Sequence, residues 1–398
     1  ITGALIADDS VDTEHLVANS VGTGAIAPNA VATEHIANSA VTAAKIASGV
    51  QLVTVDGQNN TVVGTNAGDS FSGTDAISNT LIGKNAGTAI TTGDYNVSLG
   101  YEALAANTTA SSNTAVGAAA LLVNTTGAYN TAIGVNALDA NTTANNITAV
   151  GYTALGANTT GDINTAVGAY ALQQNTTGSQ NVGFGYNPLG ANTTGAYNVA
   201  IGNYALDANT TANENTGVGH AALGANTTGA NNIGIGSGAL NANTTASNNT
   251  AVGQAALNAN TTGANNVAVG RYALVANTTG ASNTAVGKSA LAACTTGVEN
   301  TACGDDALTA VTTGGSSDAF GRHALLNQTT GTHNCAIGCD SLAGTTTGIR
   351  NVATGKSAGS SITTGSYNTT VGAYANGTTI TGSYNTSIGY NAEPNGGA

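Results

Sequence analysis

A glycine returns at every seventeenth position from Gly83 to Gly389 without a break, and Gly64 stands nineteen positions before Gly83. The full set is 20 repeated glycines, with Gly100, Gly117, Gly134, Gly151 and Gly168 in its early part. Asn stands four residues before the glycine in 18 of the 20 units, Ile147 and Ser317 being the exceptions. Ala stands three residues after it in 18, with Pro188 and Ser341 departing, and Leu four after it in 15 consecutive units, Leu104 to Leu342. The consensus is Asn-Thr-Ala-Val-Gly-x-x-Ala-Leu-x-Ala-Asn-Thr-Thr-Gly-Ala-x. Self-similarity at one fixed period is the mark of a repeat architecture, and a 17-residue unit is too short for a helical hairpin repeat, which needs about 33 or more.

Each unit carries Thr-Ala-Val or Thr-Ala-Ile, a β-favouring run with a small residue in its middle. Two turn clusters follow, the fixed glycine and Asn-Thr-Thr-Gly, and both residue types tolerate the left-handed backbone that sharp corners demand. One unit therefore reads as one coil: short strand, turn, second short extended segment, turn. The fold expected is all-β, a parallel β-solenoid or β-roll of about 20 of these 17-residue coils. Stacked at about 4.8 Å, nineteen steps would span roughly 90 Å.

Alternation along the strand sends Ala and its Val or Ile neighbour to opposite faces. Ala suits the interior of a narrow coil. Val116, Ile133, Val150 and Val167 then form an apolar ladder on the other face. A stripe of that length exceeds the few hundred Å² of contiguous apolar patch that monomers tolerate. A parallel homotrimer with its stripes meeting on a common axis covers it most economically. Asn107, Asn124, Asn141 and Asn158 are expected as a corner ladder whose stacked side chains hydrogen-bond to one another. That role is preferred to N-glycosylation, although eleven Asn-Thr-Thr triplets from Asn107 to Asn277 match the acceptor pattern.

Composition agrees with a thin core. Only 7% of residues are charged, Gly numbers 55, there is no Trp or Met, and Phe and Pro number three each. A hydrophobic fraction of 41%, periodically placed, separates the chain from disordered sequences, which join low hydrophobicity to high charge. The net charge of −13 would repel phosphate backbones and anionic lipid, so neither nucleic-acid binding nor membrane insertion is expected. With no methionine, the chain is expected not to begin at a translational start.

Residues 1–50 follow a different rule. Val11, Val21, Val31 and Val41 recur at every tenth position, and Ile6, Leu16, Ile26, Ile36 and Ile46 recur five positions away. An apolar residue at every fifth position fits neither helix nor strand alternation, and reads as a stalk of intertwined chains. The organisation expected is a decad-repeat stalk at 1–50, a junction at 51–59, the 17-residue array at 60–392 and a linker or tail at 393–398.

No chemistry is evident. Cys294, Cys303, Cys335 and Cys339 form no C-x-x-C pair and read as drift within the repeat, not as a metal site. Asp305 and Asp306, with Glu299 and Asp318 nearby, occupy variable slots, and adjacent extended residues point apart, which suits paired acid/base work poorly. His220, His323 and His333 lie in different slots. The 13 Tyr scatter over several slots, as at Tyr129 and Tyr197, and mark no aromatic-lined groove; surface packing is preferred to sugar stacking. No enzyme activity, cofactor or metal is expected.

Two resemblances point further. Thr131-Ala132-Ile133-Gly134 followed by Ala137 resembles the coil motif of trimeric autotransporter adhesin heads, which implies trimeric left-handed β-rolls. Coils of that family are shorter, so the length of the present unit is a departure that the Asn-Thr-Thr-Gly corner accounts for, and the hand of the coil stays open. Thr-Thr-Gly-Ser-Tyr-Asn-Thr at 363–369, its near copy at 381–386 and the preceding decads, with Asn-Ser-Val at 19–21 and Ala-Val-Thr-Ala-Ala-Lys-Ile at 40–46, resemble tail-fibre proteins of marine and cyanobacterial phages. That resemblance implies a trimeric fibre on the virion surface, joined at its termini to other virion proteins and facing a host receptor or glycan. The alternatives are a bacterial extracellular fibre or adhesin stalk and, less favoured, an ice-binding solenoid.

Overall fold

The computed structural model describes residues 54–71 and 75–394. The stalk expected at 1–50, the start of the junction and the tail at 395–398 lie outside the described residues. The chain divides into two units, Ile1–Leu52 and Val53–Ala398, and every described residue belongs to the second.

Among the described residues there are 21 strands and no helix. They are β1 (Thr54–Val55), β2 (Thr61–Val63), β3 (Thr80–Ile82) and then one three-residue strand per 17-residue unit to β21 (Thr386–Ile388). From β2 onward each strand pairs in parallel with the next, in register, so Thr114 lies beside Thr131, Ala115 beside Ala132 and Val116 beside Ile133. The protein is a parallel β-solenoid of about 19–20 coils. At its N-terminal end β1 folds back antiparallel on β2, which gives the first coil a partner on its outer edge. The hairpin turn is tied by Asp56, whose carboxylate accepts from the backbone N–H of Gln58 and Asn60 at 3.0 and 2.8 Å.

Numbering each coil from its glycine as slot 0, the strand occupies slots 14–16 and the rest of the coil is turns and bends. The second extended segment expected from sequence is therefore absent. The backbone of the turns still closes, because it bonds from coil to coil all round the circuit: Thr131 N to Ile147 O at 2.8 Å, Leu138 N to Ala154 O at 2.9 Å, Asn136 N to Ala118 O at 3.0 Å. Buried N–H and C=O groups thus find partners without needing a second strand.

The positive-φ residues are only in part where the turn chemistry of Asn and Gly would put them. The repeat glycines have φ between 127 and 149°, but the Asn-Thr-Thr-Gly corner contributes none of the positive-φ residues. The others sit instead at slot 2, at slot 12 and at the slot-4 leucines, all fifteen of which have φ between 49 and 56°. A left-handed leucine costs about 1–2 kcal/mol. Every one of them is completely buried, which contributes about 1.5–3 kcal/mol, so burial wins. The leucines press on the inward residue of the strand. At Gly217, for example, an added Cβ would meet Leu206 at 3.3 Å. The core is thus mainly a file of Leu against Ala, with Phe71 packed against it at the N-terminal end.

Candidate functional site

The repeat glycines sit where only glycine fits. Gly100, Gly117, Gly134, Gly151 and Gly168 have φ of 147, 131, 139, 141 and 128°, in a region closed to other residues. A Cβ at each would also run into the carbonyl oxygen of the equivalent glycine in the next coil. They end the strand and let coils stack closely.

Asn107, Asn124, Asn141 and Asn158 point inward and are fully buried. From Asn124 on, each Nδ2 donates to the Oδ1 of the Asn in the preceding coil, as in Asn141 to Asn124 at 2.7 Å. All four also donate to a backbone oxygen three residues on, as in Asn124 to Gly127 at 2.9 Å. All eleven Asn-Thr-Thr asparagines are equally buried, which closes them to glycosylation in the folded chain. A second buried Asn ladder lies at slot 13, where Asn130 N donates to Asn113 Oδ1 at 3.0 Å and Asn130 Nδ2 to Ala144 O at 2.8 Å. Where Cys294 replaces Asn the first ladder breaks: Asn277 Oδ1 has no partner among the described residues, and burial pushes the Cys294 thiol up to about 11, against the lowering effect of its contact with Gly297 O.

The outward side of the strands forms a surface that recurs from coil to coil. In β6 (Thr131–Ile133), Ala132 is 0% exposed whereas Ile133 is 40% exposed. Val116, Val150 and Val167 share the outer face with Ile133 and are half-buried. The stripe is two residues wide, since slot 14 faces outward as well, with Thr114, Thr131 and Thr148 there and Val97, Ile233 and Val352 elsewhere. Asp318 in slot 14 and Cys303 in slot 16 interrupt it.

The charged side chains gather along slots 1 and 2 of the later coils. Lys288 pairs with Asp305 at 3.7 Å, and His323 lies 3.9 Å from Asp306 and 3.1 Å from Asp340. Asp305 and Asp306 therefore face different partners and form no acid/base pair. The Cys339 thiol donates to Asp340 at 3.2 Å. That bond, joined by the one from His323, holds the Asp340 carboxyl below its usual range against a smaller opposing effect of burial. Cys339 is bonded to the carboxylate and not to the imidazole, so no nucleophile–base contact is formed. Among the described residues no group of three His, Cys, Asp or Glu is placed to hold a metal ion, and no helix is long and apolar enough to cross a membrane.

The aromatic residues correct the expectation of scattered tyrosines. Tyr152, Tyr170, Tyr186 and Tyr204 form a continuous edge-to-face row with centroids 5.4, 5.6 and 5.4 Å apart, and His220 extends it at 6.3 Å. Its members alternate between slots 1 and 2, which hides the row in a slot-by-slot reading. The available signal was one aromatic ring in either slot for five consecutive coils. Beside the same coils, slot 5 alternates polar residue and glycine: Asp139, Gln173, Asp207 and Asn241 with Gly156, Gly190 and Gly224 between them. Burial raises the carboxyls of both Asp139 and Asp207, offset in part by backbone N–H donors.

No protein-family model matches this chain, and no curated protein matches it.

Proposed function

We propose that the chain is the shaft of an extracellular fibre, built from three parallel copies that cover one another's strand faces, and that it serves as a phage tail fibre presenting an attachment surface to a host cell. The observation that carries this reading is the outward stripe of slots 14 and 16. Its slot-16 line is almost wholly Val, Ile, Leu and Phe, with slot 14 mostly Thr beside it. Over about 90 Å the two lines together make a mixed face on the order of 600–900 Å². A continuous apolar line of that length marks an interaction surface, and about 800 Å² per partner is what a stable interface uses. No part of the described chain lies over it. Two further copies in register would cover it with identical residues meeting at each level. A chain so poor in ionisable groups, with its buried asparagines committed to structure, suits a rod better than a catalyst.

A bacterial adhesin stalk would use the same stripe, and the Thr131–Gly134 core favours it as the second reading. Native mass by light scattering tests the shared element: three times 38.3 kDa is expected, and a monomer would overturn both readings. Recovery of the protein with purified virions, and not with virion-free cells, separates the first from the second.

A further inference from the structure

The aromatic row, in slots 1 and 2, and the polar–glycine alternation, in slot 5, occupy the same stretch of coils, with the buried slots 3 and 4 between them in sequence. Along this stretch lies a cleft of about 320 Å³ lined by Asn136, Asp139, Thr153, Gly156, Gln173 and Gln174. Three features suit the cleft to a polar ligand. A side chain at Gly156 would abut Asp139 Oδ1, at 3.3 Å from the added Cβ, so glycine keeps the carboxylate accessible. Thr153 Oγ1 is buried with no hydrogen-bond partner among the described residues. Asn136, Gln173 and Gln174 add side-chain amides, each offering both donors and acceptors. Tyr152 is the chain neighbour of Thr153, and Tyr170 N bonds to Tyr152 O at 3.0 Å, so the backbone that carries the first rings of the row adjoins the cleft, although no ring lines it.

We propose that this stretch of coils is a binding site for an extended, neutral glycan lying parallel to the solenoid axis. Sugars present an apolar C–H face and a rim of hydroxyls. The exposed rings of Tyr152, Tyr186 and Tyr204 match the first, and carboxylate and amide side chains match the second with donors and acceptors. The periodicity fits too. The ring centroids lie 5.4–5.6 Å apart on a zigzag between slots 1 and 2, so along the axis they advance one coil at a time, about 4.8 Å, close to one pyranose unit. The polar residues of slot 5 recur every second coil, roughly 10 Å, as a chain of alternately flipped sugars repeats every second unit. The net charge of −13 disfavours a polyanionic glycan. A second Asp–Gly–amide set, Asp207, Gly224 and Asn241, repeats the arrangement further along, where an added Cβ at Gly224 would meet Asn241 Nδ2 at 3.1 Å and Asp207 Oδ1 at 3.4 Å. The site deepens the attachment role proposed above and rests on that role for the source of the glycan, but not for its chemistry.

The test titrates the full chain with cellohexaose and chitohexaose, with polygalacturonate as the charged control. Because the protein has no Trp, its intrinsic fluorescence comes from its 13 Tyr, four of which form the row, so the row's share is the part of the signal lost in the tyrosine variant. Binding of a neutral hexamer with a change in tyrosine emission is expected. Tyr152→Ala with Tyr186→Ala should weaken it by about tenfold or more. Slot 1 naturally holds Ala118 and Ala169 in other coils, so the pair should fold as the parent does. Gly156→Gln, which fills the cleft without touching the rings, should weaken binding independently. Failure of both neutral hexamers to bind, preference for polygalacturonate, or binding unchanged in the tyrosine pair would each overturn the assignment. Native mass, measured on the same samples, reports separately on the fibre reading.

Discussion

At the scale of single residues, two choices recur in coil after coil and run against ordinary preference. Leucine is held left-handed at slot 4, and asparagine is buried at slots 7 and 13. The leucine strain is outweighed by burial, whereas the buried asparagine is tolerated because the neighbouring coils repeat it. A lone buried amide would leave lone pairs and N–H groups unpaired, whereas in a ladder each amide satisfies the one beside it. Asn124→Ala removes the donor to Asn107 Oδ1 and Gly127 O and the acceptor of Asn141 Nδ2. A loss of about 1–3 kcal/mol is expected, read as a lower denaturation midpoint, with faster amide exchange confined to the adjacent coils. A midpoint equal to that of the parent would mean that the ladder is not a source of stability. Cys294 is a natural version of this break, and the orphaned Asn277 Oδ1 beside it shows the local consequence.

At the scale of the element, the coil and not the strand is the unit. A three-residue strand has too few hydrogen bonds to stand alone, and its stability comes from the neighbouring coils. Removing one whole coil, 135–151, would join Gly134 to Tyr152 and return every side chain to its own ladder. Such a variant is expected to stay soluble with an unchanged circular dichroism spectrum per residue and only a modestly lower melting temperature. Removing only 135–139 shifts all later ladders out of register and should abolish cooperative unfolding. Equal tolerance of the two deletions would contradict the coil as the unit.

At the scale of the whole molecule, the proposed assembly brings equivalent residues of different copies to the same level. Cys303 lies on the outward stripe and is exposed, so in a parallel, in-register trimer its copies would converge. Mild oxidation should then give a covalent dimer together with one unlinked chain, seen on a non-reducing gel and lost in Cys303→Ser. Cys335 lies on the same stripe in slot 14, so a product that persists in Cys303→Ser but is lost when Cys335 is also changed to Ser would still fit the assembly. One that persists in that double variant would arise from Cys339 and would argue against convergence of the stripe residues.

The repeat period, the strand in each unit, the parallel stacking and the thinness of the core were all legible in the sequence, because each follows from residue type at a fixed spacing. A glycine at every seventeenth position, as at Gly134, demands a coil, and Thr131-Ala132-Ile133 can only alternate. The tertiary structure decided what depends on a neighbour one coil away. It replaced the second extended segment by turns bonded from coil to coil, and moved the left-handed positions from the Asn-Thr-Thr-Gly corner to Leu138 and its equivalents, where burial outweighs strain. It turned the asparagines inward, where their amides pair. It also joined Tyr152, Tyr170, Tyr186 and Tyr204 into one row. Their separations in sequence are alternately one more and one fewer than the repeat, which hides a contact that appears only when stacked coils set the rings side by side.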